Sequence, residues 1–121
     1  MKREIKKTNP RLIRLITDLK TLSREKDVHI WRDIAKRLER PARSYAQVNL
    51  SKINRYTIED ITVIVPGKVL GAGSIEHKVT VAALNFSDSA LEKIKNKGGS
   101  CLTIEQLVEI NPSGSGVKIM Q

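Results

Sequence analysis

Leu12, Leu15, Ile16, Leu19 and Leu22 recur at the three-and-four spacing of a one-sided helix, with Arg11, Arg14, Asp18 and Lys20 on its other faces. Asn9 as N-cap and Pro10 at the first helical position predict a helix over about residues 10–24. Ile13 borders the stripe. Glu25-Lys26-Asp27 is a polar break. A second helix follows, with Ile30, Trp31, Ile34, Ala35 and Leu38 inward and Arg32, Lys36, Arg37 and Arg40 outward, and Pro41 ends it.

From Ile61 the pattern changes to β-branched runs. Ile61-Thr62-Val63-Ile64-Val65 is expected to stop at Pro66-Gly67, and Lys68-Val69-Leu70 at the tight turn Gly71-Ala72-Gly73. Val79 to Leu84 is the next strand. A helix follows, capped by Ser87 or by a Ser89…Glu92 box, with Leu91 and Ile94 inside and Lys93, Lys95 and Lys97 outside. Gly98-Gly99 ends it. Ser100-Cys101-Leu102 is a short strand, and Thr103…Gln106 is a capping box that opens a helix ending at Asn111-Pro112. Val117 to Met120 is a closing strand.

Strands separated by helices suit parallel neighbours with right-handed crossovers. The expected class is therefore α/β: basic N-terminal helices, then a compact strand–helix repeat unit with a small, largely parallel sheet. At 121 residues the chain is expected to form one domain. Within it, 1–8 is a basic arm, 9–60 a basic helical extension and 61–121 the α/β core. Residues 43–55 give mixed signals. Val48 and Leu50 alternate with polar residues like a short strand, and Ser51 opens a turn of helix carrying Ile53.

Charge adds what the pattern omits. The formal net charge is +9, and residues 1–55 hold 16 basic and 6 acidic side chains, against 6 and 7 in the remainder. Every Arg lies at or before Arg55. A merely solubilising charge need not be confined to one half, so the first half is expected to meet a polyanion. Membrane binding gains little, because aromatic anchors are missing and the apolar runs are only strand-length. No signal-peptide core follows Met1-Lys2-Arg3-Glu4, and the chain reads as reduced and cytoplasmic.

Reactive chemistry is not expected. Cys101 is the only cysteine and reads as a small buried hydrophobe. His29 and His77 lack ligand spacing to other metal-binding residues. Gly71-Ala72-Gly73 lacks the third glycine of a dinucleotide fingerprint. Two helices and a polar turn hint at a helix-turn-helix DNA reader. The turn has no Gly, however, and the second helix is dense in Arg and Lys rather than base-reading amides.

A family signature runs through Val48-Asn49-Leu50-Ser51-Lys52-Ile53, Val65-Pro66-Gly67-Lys68-Val69-Leu70-Gly71-Ala72-Gly73, Val79-Thr80-Val81-Ala82-Ala83, Phe86-Ser87, Ala90, Lys93-Ile94, Gly98-Gly99 and Asn111-Pro112. With Asn9-Pro10, Leu12 and Trp31, these positions resemble the archaeal and eukaryotic "eighteen-e" protein of the large ribosomal subunit. That family shares its core fold with the bacterial "fifteen" protein, and the short length here is closer to archaeal members. The resemblance implies a structural constituent of the large subunit, bound to large-subunit ribosomal RNA beside neighbouring ribosomal proteins. It implies no catalysis, cofactor, metal or small-molecule substrate.

The expected mode is electrostatic docking on folded RNA. By charge and motif position, Arg3, Lys6, Lys7, Arg11 and Arg14 anchor the arm and first helix. Arg32, Lys36, Arg37, Arg40 and Arg43 form a second line, and Lys52, Arg55, Lys68, His77 and Lys78 a third near the Gly turn. The alternative is a DNA-binding protein or a binder of other RNA. Scarcity of aromatics argues against base stacking as the main mode.

Overall fold

The computed structural model describes residues 9–121, which fall into two units that meet in sequence between Tyr45 and Ala46. The basic arm expected over residues 1–8, with Arg3, Lys6 and Lys7, lies outside the described residues.

The first unit is a pair of helices, α1 (Pro10–Lys26) and α2 (His29–Glu39), followed by a 3-10 turn at Ala42–Ser44. The Asn9 carboxamide oxygen accepts the Arg11 N–H at 3.0 Å, which starts α1 where the Asn-Pro signal placed it. Leu15, Ile16 and Leu19 are buried, as are Trp31, Ile34, Ala35 and Leu38 of α2. The helix runs two residues past the end expected at residue 24. Its stop is set instead by Asp27, which takes the left-handed conformation (φ 53°) usually left to glycine. Ser23 fastens this two-residue turn, its hydroxyl donating to the Val28 carbonyl at 2.8 Å. Lys20 reaches Glu39 at 2.7 Å, tying α1 to α2. The Tyr45 hydroxyl donates to the Leu38 carbonyl at 2.6 Å.

The second unit runs β1 (Ala46–Asn49), α3 (Leu50–Tyr56), β2 (Ile61–Leu70), β3 (Val79–Phe86), α4 (Asp88–Asn96), β4 (Ser100–Thr103), α5 (Ile104–Ile110) and β5 (Val117–Ile119). All strand pairs are parallel, in the order β1-β2-β3-β4, with β5 also on β2. Ala46–Asn49 is thus a strand of the sheet, and Leu50–Tyr56 is its crossover helix. Both were read from the sequence as part of the helical extension. Their strand partner lies some twenty residues away, so local pattern did not reveal it.

β2 departs from expectation twice. It does not stop at Pro66-Gly67 but continues to Leu70. β5 pairs with Thr62–Ile64, and β1 pairs with Gly67–Leu70, so Pro66 falls at the seam between them. On the β3 side the register shifts between Val65 and Lys68. A proline inside a strand needs a place where no partner requires its N–H, and a bulge supplies one. Gly67 meets the opposite constraint. A Cβ there would lie 2.0 Å from the Ala46 carbonyl oxygen, so only glycine lets β1 come this close.

Nor does Gly71-Ala72-Gly73 fold β2 back on β3 as a tight turn. The two strands are parallel, Ile61 beside Val79, and residues 71–78 carry the chain back. Those eight residues span at most about 3.6 Å each, so the return path is nearly fully extended. Buried Ile75 pins its middle, and the Asp60 N–H donates to the Lys78 carbonyl at 2.8 Å at its end. Its start is clasped by Lys93, whose ammonium donates to the Gly71 and Gly73 carbonyls, both at 2.8 Å. Lys93, read as an outward lysine, therefore has a structural task. Ser51 donates its N–H to the Ala72 carbonyl at 3.2 Å and closes the other side.

Val63, Val65, Val69 and Val81 form the sheet's share of a core completed by Ile53 of α3 and Ile94 of α4. Ile104 and Leu107 of α5 are also buried. Ser87 is the cap of α4, accepting the Ala90 N–H at 3.2 Å, which decides against the Ser89…Glu92 box. Both halves of the Thr103/Gln106 box are present, at 2.9 and 3.0 Å. Cys101 packs against the core, half-buried, and burial pushes its thiol up while Lys95 pulls it the other way.

Three outcomes are expected. Gly67→Ala should cost about 2 kcal/mol or more, as overpacking that parts β1 from β2. Gly98→Ala, whose Cβ meets open space at a positive φ, should cost only about 1 kcal/mol. Urea midpoints of the two variants test that order. Lys93→Glu should lower the unfolding free energy by roughly 1–2 kcal/mol, since two carbonyls lose a charged donor, whereas Lys97→Glu should stay within about 0.5 kcal/mol. The Cys101 thiol should react with iodoacetamide at pH 8 several-fold more slowly in the native protein than in denaturant.

Candidate nucleic-acid interface

The helical unit holds most of the charge. Residues 1–45 contain 14 Lys and Arg against six Asp and Glu, while residues 46–121 contain eight against seven. The pattern that buries Trp31, Ile34, Ala35 and Leu38 leaves Arg32 and Lys36 of α2 and Arg40 at its C-cap exposed. These three are four residues apart in turn, so they stack as one row along the helix. Arg37, beside the row, is half-buried. Arg43 is exposed on the 3-10 turn.

On α1, Arg14 is exposed and Arg11 half-buried. Arg14 faces Asp18 at 3.8 Å, but both side chains are largely in water, and such a pair is held too weakly to keep Arg14 from a phosphate. Lys20 differs, because its short contact with half-sheltered Glu39 commits it to the helix pair.

In the sheet unit most of the expected cations hold oxygens of the unit itself. The Lys52 ammonium donates to the Gln121 main-chain oxygen. Lys78 lies 3.8 Å from the Asp60 carboxylate. Thr57 donates its hydroxyl to the Ile53 carbonyl, so at 2.8 Å His77 Nε2 is the donor to Thr57 Oγ1. Lys118 donates to the Tyr56 carbonyl at 2.8 Å. Arg55 and Lys68 are exposed.

Lys68 stands in company that the sequence did not announce. The register places it between Gln47 of β1 and Asn85 of β3, and all three are exposed. The next row, Val48, Val69 and Phe86, packs into the core. Two amides and an ammonium thus lie side by side, neighbouring strands being about 4.8 Å apart, with donors and acceptors suited to phosphate, 2′-hydroxyl and base edges. Gln47 belongs to a stretch whose amides read as RNA-facing in the sequence, but Asn85 was missed because only strand pairing brings it beside Lys68. The available signal was Lys68 itself, a charge inside an apolar run.

Among the described residues, no group of three His, Cys, Asp or Glu is placed to hold a metal ion, and no helix is long and apolar enough to cross a membrane.

The comparisons with known proteins agree with one another. The family described as ribosomal protein 60S L18 and 50S L18e matches residues 1–121. A large ribosomal subunit protein eL18 from Methanoregula boonei is 59% identical over 121 residues, 100% of both chains. The protein of that name from Methanothermobacter thermautotrophicus is 53% identical, also over the whole of both chains. That from Halobacterium salinarum is 50% identical over 95% of this chain and 98% of its own. With the matched span complete and half or more of the residues shared, the chain belongs to the family of ribosomal protein 60S L18 and 50S L18e.

Proposed function

We propose that this chain is a structural constituent of the large ribosomal subunit that clamps folded ribosomal RNA through the exposed cations of its helical unit. Its family supports the ribosomal role and a place among non-catalytic components of the cytoplasmic translation machinery. The observation that carries the RNA reading is the segregation of charge. The helical unit presents the row Arg32, Lys36 and Arg40, with Arg14 and Arg43 also exposed, and residues 1–45 hold 14 Lys and Arg against six Asp and Glu, while residues 46–121 hold eight against seven.

The mechanism is counterion release with shape selection. Guanidinium and ammonium groups displace condensed cations from phosphates, and the rigid helix pair fixes which RNA contour brings those phosphates within reach. Lys20–Glu39 and the Ser23 turn hold that pair. Arg3, Lys6, Lys7 and Arg11 are assigned further phosphate contacts within this proposal. Arg55, Lys68, Gln47 and Asn85 offer a smaller second contact, in which amides read 2′-hydroxyls rather than net charge. Lys52, His77 and Lys78 stay within this proposal as secondary contacts that must share their groups with oxygens of the chain.

Replacing Arg32, Lys36 and Arg40 together by Glu should weaken binding to large-subunit ribosomal RNA by about 100-fold or more at 0.1 M salt. The slope of log affinity against log salt should become shallower by about 2 to 3. Lys97→Glu should leave both within about twofold. Filter binding across a salt series, with duplex DNA as competitor, reads these values. Equal losses from both variants, or preference for the duplex, would overturn the reading.

A further inference from the structure

β1, β2 and β3 together hold one charged side chain, Lys68. The β-bulge decides what stands beside it. With the spacing that pairs Ile61 with Val79 carried through, Lys68 would meet Phe86, but the register shift after Val65 moves it to Asn85. Bulges recur where a strand must re-aim a side chain beside a working surface. This one assembles an all-polar row, Gln47–Lys68–Asn85, and leaves the apolar row Val48–Val69–Phe86 to the core. Asn49, two residues on from Gln47 in β1, shares its face of the sheet.

Asparagine is depleted in strands, so amides gathered there need a reason. Elsewhere in the sheet unit amides serve the fold. Asn54 accepts the Glu76 N–H, Gln106 accepts that of Thr103, and Asn111 donates to the Ser115 carbonyl, each at 2.9 Å. The side chains of Gln47, Lys68 and Asn85 make no hydrogen bond among the described residues. Asn49 occupies the N-cap position of α3, where a carboxamide ordinarily bonds the first turn, yet its side chain makes no cap bond. Three carboxamides and an ammonium thus stand together with their donors and acceptors open.

Chemistry and shape select the occupant. Carboxamides donate and accept at once, as 2′-hydroxyls do, and one ammonium suits one phosphate. None of the three strands carries a carboxylate, and α3, which leaves β1 at Asn49, carries Lys52 and Arg55 and no acidic residue. The row crosses two strand spacings, about 10 Å. That exceeds the minor groove of B-DNA, about 6 Å wide. The minor groove of A-form RNA is wide, shallow and lined with 2′-hydroxyls. A flat row suits such a groove better than a base turned out of its stack, which needs an enclosing pocket. We propose that Gln47, Lys68 and Asn85, with Asn49 beside them, lie across the minor groove of an A-form helix of ribosomal RNA and give this chain its preference for ribose over deoxyribose. The assignment rests on the RNA reading above, in which the helical unit supplies salt-dependent affinity, and adds recognition of the sugar.

The probe is large-subunit ribosomal RNA carrying scattered 2′-deoxy substitutions, each marked by a cleavable phosphorothioate. RNA retained by the wild-type chain is compared with RNA retained by the double variant Gln47→Ala with Asn85→Ala. The variant should keep the wild-type urea midpoint, because both side chains are exposed. Its affinity should fall about tenfold with the salt slope unchanged, since neutral groups release no counterions. Paired nucleotides at which deoxy substitution excludes RNA from the wild-type complex should be tolerated in complexes of the variant. Lys68→Gln should instead make the slope shallower by about 1. Deoxy interference that is identical in wild type and double variant, or whose loss is confined to unpaired nucleotides, would overturn the assignment. Failure of the wild-type chain to retain large-subunit RNA at all would instead strike down the RNA reading beneath it.

Discussion

The sheet unit depends on one strand being acceptable to three others. β2 pairs with β3 along most of one side, and on the other it is shared end to end by β5 and β1. A strand used this fully must be apolar on both faces, and Val63, Ile64 and Val65 are all completely buried. It must also absorb the change of partner midway. Pro66 and Gly67 do this together, the first needing no ladder bond and the second leaving room for the β1 backbone. The crossovers follow from that arrangement, because parallel neighbours require the chain to travel the length of the sheet between strands.

The division of charge follows a similar economy of roles. In the sheet unit, lysines act as long donors to main-chain oxygens: Lys93 to the Gly71 and Gly73 carbonyls, Lys118 to Tyr56, Lys52 to Gln121. Their aliphatic stems let a charge on one element secure a loop from another. In the helical unit, Arg32 of α2 and Arg40 at its C-cap are exposed on a helix whose Trp31, Ile34, Ala35 and Leu38 are buried. Basic residues thus secure loops in the sheet unit, while in the helical unit they form an exposed row.

Much of this was legible in the residues. Asn9, Ser87 and the Thr103/Gln106 pair announced their helix starts because a cap is a local device, complete within four residues. The periodicity of α1 and α2 was plain for the same reason. What escaped were features completed by residues distant in sequence. β1 was ambiguous because four residues of mixed polarity become a strand only beside Gly67. The direction of β3 was hidden because a Gly-rich turn suits either a hairpin or an extended return. Lys93 looked like a solvated lysine until the loop it clasps came beside it. For the candidate interface, the basic helix faces could be read from charge and spacing. The Gln47–Lys68–Asn85 row needed the strand register.

The placement of β5 has a consequence for biogenesis. Thr62 finds its neighbour in Val117, and that rung joins portions of the polypeptide made at well-separated moments of translation. Until the ribosome has delivered Ile119 beyond its exit tunnel, one edge of β2 stands bare over Thr62–Ile64, an apolar template open to foreign strands. A nascent copy therefore keeps that edge unpaired for as long as residues 117–119 remain inside the tunnel, and any delay in releasing them prolongs the hazard.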